Sequence, residues 1–240
     1  SSKAEKDRGL VFRPDGKYFF VTAHKDKALY VYQIEVATDT SSSWWPPPVT
    51  FIRRFGLKAA ENGSSETEDD DFTDLIAGSD GYLYLALKST KNVIRFPMYP
   101  ESFTGNWTYE TLVQPVDNKK VNSVWTSNDG KYVYVLSEEE PKVAQFSSMP
   151  LSRIGIAAFN SDDNFRDFKL SHDSRYLMLT DKKDATNLGG LRGKLVNEIN
   201  FAATPSGINL TRAYPYKLKS DLSVLSPTGN DILFTNKDKP

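Results

Sequence analysis

One pattern constrains this chain more than any other. A short apolar run, a turn built on Asp-Gly and two further β-rich runs appear first over residues 10–34, as LVFRPDGKYFFVTAHKDKALYVYQI. Leu10, Val11 and Phe12 open it, Pro14-Asp15-Gly16 supplies turn chemistry, and residues 18–22 and 29–34 are rich in aromatic and β-branched side chains. Such a segment reads as an antiparallel meander. The plan returns as DLIAGSDGYLYLALKSTKNVIRF from Asp74, NSVWTSNDGKYVYVLSEEEPKVAQF from Asn122, DFKLSHDSRYLMLTDKKD from Asp167 and DLSVLSPTGNDILFTNKD from Asp221. The turn pairs Asp15-Gly16, Asp80-Gly81, Asp129-Gly130, Asp173-Ser174 and Thr228-Gly229 recur every 44 to 65 residues, the spacing of propeller blades rather than of helical solenoids.

The expected fold is therefore all-β: a β-propeller of repeated antiparallel four-stranded blades, about five represented, in a single domain over residues 1–240. Period-two alternation places Phe12, Tyr18, Phe20, Tyr84, Trp125, Tyr132, Tyr134, Tyr176 and Phe234 in the packing between blades. The last repeat supplies only two strands, and residues 1–8 are too short and charged to provide a missing pair. A propeller blade normally has four strands and open sheet edges promote association, so missing blades or a second chain are expected to close the ring.

Charge excludes some partners. The chain has 30 basic and 31 acidic residues and a net charge of −1, so no overall field favours nucleic acid or an anionic membrane, and neither is expected as a partner. No apolar run approaches the ~20 residues of a membrane span, and residues 1–8 do not read as a signal peptide, so any targeting segment is expected to have been removed. Cysteine is absent, which removes disulfides, thiolate nucleophiles and thiolate metal sites. Three N-x-[ST] sequons, at Asn62, Asn106 and Asn209, fall between expected strands where a glycan is tolerated, and point to a secreted glycoprotein.

Several local features invite function and also have a plain reading. Trp44-Trp45-Pro46-Pro47-Pro48 is either a recognition surface or a cover for the outer edge of the first blade, which is expected to end in a strand over residues 49–55. The run ETEDDD over residues 66–71 lacks the alternating ligands and glycine of a calcium loop and reads as a solvated acidic loop. Gly189, Gly190 and Gly193 around Arg192 either form an anion nest or belong to a bulged hairpin. His24 and His172 lie in turns of separate blades and make no metal set. No nucleophile elbow is present, and neither a cofactor nor a metal is expected.

The first strand of each propeller blade lines the central channel, so residues leading into those strands converge. Here they are Arg8, Asp71 and Asp74, Lys120 and Asn122, Arg166 and Asp167, and Lys219 and Asp221. Arginines at such a mouth can hold a carboxylate or phosphate while an aspartate moves a proton; alternatively these charges satisfy one another. The candidate catalytic residues are Arg166, Asp167 and Asp221, and the candidate ligand-binding residues are Arg8, Asp74, Asn122 and Lys219.

Arg166-Asp167-Phe168-Lys169-Leu170-Ser171, leading to Arg175-Tyr176-Leu177, resembles a strand that the lactonase family of seven-bladed propellers continues as SPDGRYLY. Tyr214-Pro215 and the later DILFTNKD are similar to a late blade of that family. The family includes propeller-type phosphogluconolactonases, fungal carboxymuconate cyclases and secreted fungal relatives of the latter. The resemblance implies a seven-bladed ring, so about two blades are unaccounted for. It also implies a site built from a histidine and arginines. Arg8-Gly9 stands where the family brings histidine, and only Arg166 sits where a family arginine carries over. The expected function is a binding or interaction module with a degenerate lactonase-type site, taking a small carboxylated or carbohydrate ligand; the alternative is an active lactonase or cycloisomerase on a small carboxylated ring.

Overall fold

The computed structural model describes residues 9–23, 27–35, 47–56, 72–87, 89–103, 107–112, 114–137, 142–159, 165–171, 173–181, 191–195, 199, 201, 207–208, 212–214, 222–225 and 232–235. Of residues 159, 165–169, 178–181 and the strands after residue 190, the backbone alone is described. The Trp44-Trp45 pair, the acidic loop, Gly189, Gly190, His24 and His172 lie outside the described residues.

The fold is an all-β propeller type built from repeated antiparallel four-stranded blades, and among the described residues there is no helix. The first blade is β1 (Gly9–Phe12), β2 (Tyr18–Ala23), β3 (Ala28–Ile34) and β4 (Val49–Gly56). The second is β5 (Phe72–Ala77), β6 (Tyr82–Leu87), β7 (Val93–Pro97) and β8 (Glu110–Leu112). The third is β9 (Val121–Thr126), β10 (Tyr132–Ser137), β11 (Lys142–Ser147) and β12 (Ser152–Phe159). The fourth starts with β13 (Phe165–Leu170), β14 (Tyr176–Asp181) and β15 (Leu191–Leu195). Its chain then lends β16 (Gly207–Ile208) in parallel to the edge of β12 and returns as the fourth strand, β17 (Arg212–Tyr214). A last pair, β18 (Leu222–Leu225) and β19 (Ile232–Thr235), follows. β14 and β15 pair antiparallel with Gly193 opposite Met178, and the described ladder runs without a register shift, so the bulge expected around Gly193 is not among the described residues.

The turn between the first two strands explains why the repeat is visible in sequence. Gly16, Gly81 and Gly130 have φ of 70°, 86° and 68°, where a side chain is disfavoured, and Ser174 holds the same position at 57°. In the third blade Gly130 N–H donates to Ser127 O at 3.0 Å and Lys131 N–H to Asp129 Oδ1 at 3.1 Å, while Tyr132 N–H donates to Ser127 Oγ at 2.9 Å. The fourth blade repeats this with Ser171, Asp173, Ser174, Arg175 and Tyr176. The first blade puts Arg13 in the serine position, its guanidinium gripping both oxygens of Asp15 at 2.8 and 2.6 Å. The bond from Ser127 and the Lys131 N–H hold the Asp129 carboxyl below its usual range. Ser171 and the Arg175 N–H do so for Asp173, and Arg13 with the Lys17 N–H for Asp15. These aspartates are turn residues by chemistry as well as by position.

Chain packing defines two compact units, residues 1–77 with 81–113 and residues 78–80 with 114–240, and each is described by itself. In the first, β1 lies beside β5, and Phe20, Leu29 and Val31 of the first blade meet Leu83, Leu85, Phe96, Met98, Phe103 and Trp107 of the second in one buried cluster. In the second, β9 lies beside β13 and β13 beside β18. Tyr134, Leu136 and Val143 pack there against Leu170, Leu177 and Ile199. Each buried large side chain of this kind contributes about 1.5–3 kcal/mol of transfer free energy.

Three expected core residues are corrected. Phe20, Tyr84 and Tyr134 are buried and Tyr18 and Trp125 half-buried, but Phe12, Tyr132 and Tyr176 are 55%, 37% and 40% exposed. Phe12 lies on the face of the first blade turned away from the second. There it begins a row, Phe12–Phe19–Tyr32–Phe51, that crosses all four strands in register. Tyr132 and Tyr176 are the first residues of their strands, at the turn end, where less chain packs over them. Phe234 lies in β19, where only the backbone is described.

Candidate functional site

Among the register shifts, which also skip Ile52 in β4 and Ile154 in β12, one recurs at the same position in three blades. Phe72 pairs with Leu87 and Asp74 with Ala86, so Thr73 is skipped; Val121 pairs with Ser137 and Ser123 with Leu136, so Asn122 is skipped. Phe165 pairs with Asp181 and Asp167 with Thr180, and Arg166 is skipped in the same way. Each is the extra residue of a β-bulge, placed second in the first strand of its blade. A bulge frees one residue from the ladder and re-aims its side chain, which is why bulges collect beside sites.

Two of the three bulged residues, Asn122 and Arg166, are candidates named from sequence. They stand at matching positions on β9 and β13, which are neighbours in one unit. Asp167 follows in the ladder opposite Thr180, at the position that Ser123 holds in β9 and Asp74 in β5. Asp74 is half-buried and accepts the N–H of Leu75 at 3.0 Å. In the second blade it is thus Thr73, not Asp74, that occupies the bulge. Counting back from the turn puts Arg8 at the same step in the first blade and Asp221 in the last. Arg8, Asp71, Lys219, Asp221 and the sequon asparagines Asn62, Asn106 and Asn209 lie outside the described residues.

Sequence reasoning missed two residues at the Asn122 bulge. Ser123 and Ser137 are 4% and 1% exposed, and among the described residues neither hydroxyl has a hydrogen-bond partner. A buried hydroxyl without a partner costs about 1–3 kcal/mol, and such a group asks for a role. Both stand at the leading end of β9, beside the bulge at Asn122, and the neighbouring β13 carries Arg166 at the matching bulge. A guanidinium offers planar, paired donors to a carboxylate or phosphate, and serine and asparagine add neutral donors.

No protein-family model matches the sequence, and no curated protein does. Solved structures do match. A proposed 6-phosphogluconolactonase of Bacteroides fragilis superposes with a TM-score of 0.63 at 18% identity, over 95% of this chain and 62% of that one. A protein from Lactobacillus plantarum gives 0.65 at 14% identity, over 97% and 64%. A proposed 6-phosphogluconolactonase of Bacteroides uniformis gives 0.57 at 18%, over 95% and 77%. The chain thus spans less than two thirds of the first two. At these identities the likeness establishes the fold, a lactonase-like propeller.

Proposed function

We propose that this chain is a secreted lactonase-type propeller that binds a small carboxylated or phosphorylated ligand at the leading ends of its first strands, as a binding module with a degenerate site. The observation that carries the reading is the pair of matching bulges that take Asn122 and Arg166 out of their ladders on neighbouring strands. Arg166 holds the anion, Asn122 with Ser123 and Ser137 orients it, and Asp167, the residue after Arg166, serves a proton, with Asp221 the candidate at the corresponding step of the last repeat. Arg8, Asp74 and Lys219 are ligand-binding candidates by their places in the sequence of their own blades. The missing histidine argues for binding over turnover.

A second reading, lactone hydrolysis, is favoured by the name that the two Bacteroides neighbours share. One experiment separates the two. The purified protein is titrated with 6-phosphogluconate by calorimetry and assayed with 6-phosphogluconolactone and a panel of other lactones and muconates. The binding reading predicts heat that Arg166→Ala removes, with no turnover above background. Turnover abolished by Arg166→Ala would establish hydrolysis instead, and neither heat nor turnover would remove these strand ends as a site. Secretion predicts a mass loss on enzymatic deglycosylation of the native protein, traced to Asn62, Asn106 or Asn209.

A further inference from the structure

The far end of the third and fourth blades carries a different feature. Where the turns join first to second strands, at the opposite end of β9 from Asn122, a cleft of about 700 Å³ opens between the two blades. Its walls are the turn at Ser127, Tyr132, Tyr134, Gln145, the turn at Asp173 and Phe201. The two turns are tied across it by a bond from Asn128 N–H to Ser174 Oγ at 2.6 Å.

The equivalent place between the first two blades is filled. Matching the turns by their shared bonds, Arg13 N–H to Tyr18 O and Ser127 N–H to Tyr132 O, both 2.9 Å, makes Arg13 equivalent to Ser127 and Tyr18 to Tyr132. Phe20 then corresponds to Tyr134, and their ladder partners Val31 and Gln145 to one another. In the first pair of blades Arg13 closes the mouth. It lies over Tyr18 at 4.1 Å and Tyr99 at 4.8 Å and donates to Met98 O at 3.2 Å. Phe103 and Trp107 fill the space beneath, against Tyr18 and Phe20. In the second pair the plug is a serine, and the buried Phe20–Val31 contact is replaced by Gln145 Nε2 donating to Tyr134 Oη at 3.1 Å. Phe201 reaches Tyr134 at 6.0 Å, and Tyr132 is left part-exposed. A core position has become a polar wall.

From this we infer that the cleft is a binding site for a neutral saccharide. An aromatic side chain such as Tyr132 offers a face to the C–H side of a sugar ring. Around it stand a hydroxyl, a carboxamide and two carboxylates held rigid by their turns, the donor and acceptor mixture that hydroxyl groups require. Charge of one sign does not dominate, because Asp129 is paired with Lys131 at 3.3 Å and the Arg175 guanidinium, two residues on, acts electrostatically on Asp173.

The test is titration of the intact chain with neutral mono- and disaccharides (glucose, galactose, mannose, maltose, cellobiose), followed by amide and tyrosine NMR shifts. At least one sugar binds in the millimolar range, with shifts at Tyr132, Gln145 and Arg175. Tyr132→Ala and, separately, Gln145→Ala each weaken it about 10-fold or more, the equivalent of 1.4 kcal/mol. Saturating 6-phosphogluconate does not displace the sugar. Absence of any response to these sugars, a Kd unchanged in both variants, or displacement by 6-phosphogluconate would each overturn the assignment. Backbone shifts of the free variants verify that each is folded before its titration is interpreted.

Discussion

The seam between the first and second blades and the seam between the third and fourth share one backbone plan and differ in what fills it. In the first, Phe20, Val31, Phe103 and Trp107 make a continuous apolar and aromatic contact, with Trp107 Nε1 satisfied by Pro97 O at 2.7 Å and Arg13 as the lid. In the second, Tyr134, Gln145 and Ser127 stand at the equivalent places and a cleft remains. The strands that carry these residues have the same register in both seams. What differs is a handful of side chains, which decide whether the seam contributes stability or presents donors and acceptors. A propeller can thus spend one seam on cohesion and keep another for recognition.

The largest effect expected from this contrast is in the filled seam. Trp107→Ala removes a 3% exposed ring that packs, tilted, against Phe96 with centroids 4.5 Å apart, and should lower unfolding free energy by about 3–5 kcal/mol in urea denaturation. Phe201→Ala, in the open seam, should cost clearly less, since its ring is only partly buried. Equal losses would mean that the two seams are packed alike.

A next test carries the polar wall into the wrong seam. Val31 is fully buried, and Val31→Gln places an amide where Phe20 offers no partner, for an expected loss of about 1–3 kcal/mol. A stability unchanged by this substitution would show that the first seam can admit water, and would erase the distinction.

Smaller again is the effect of the turn carboxylates that border the cleft. The bond from Ser127 and the Lys131 N–H depress the Asp129 pKa in the folded chain. Its contribution to stability is therefore present above the unfolded value, about 3.9, and is lost as pH falls through the lower folded value. Asp129→Asn should lower the urea midpoint slightly at pH 7 and differ progressively less from the parent below pH ~4. Because this carboxylate is largely solvent-exposed, the difference at neutral pH should be modest and weaken in salt. A gap between variant and parent that widens on acidification would contradict the turn geometry.

How much of this was legible in the sequence follows from the range of each interaction. Turns and strands are local: the Asp-Gly pairs marked the positive-φ positions, and the expected outer strand at 49–55 appears as Val49–Gly56. The last repeat has the two described strands expected of it. Facing is less local. Phe12 and Tyr132 are aromatic and alternate correctly, yet which side of a blade is covered depends on neighbours that the alternation does not name. The bulges were half legible. Asn122 and Arg166 were selected by position, but that they are skipped in the ladder, and that Thr73 takes this role instead of Asp74, depends on pairing with the second strand. The cleft was not legible. Its one signal is Gln145 interrupting the apolar alternation of KVAQFS, and its meaning appears only when Gln145 is set against Val31 in another blade.

The most direct test of the claim that side chains alone assign the two seams their roles is the double substitution Tyr134→Phe with Gln145→Val, which writes the first seam's residues into the second. Because both members of a part-buried hydrogen bond are replaced by apolar groups, unfolding free energy measured in urea should stay within about 1 kcal/mol of the parent. In the same samples, the sugar titration should lose its response. A double variant that keeps the parent's stability and also keeps the parent's sugar affinity would contradict the account, as would one that loses several kcal/mol because the polar pair was holding the blades together.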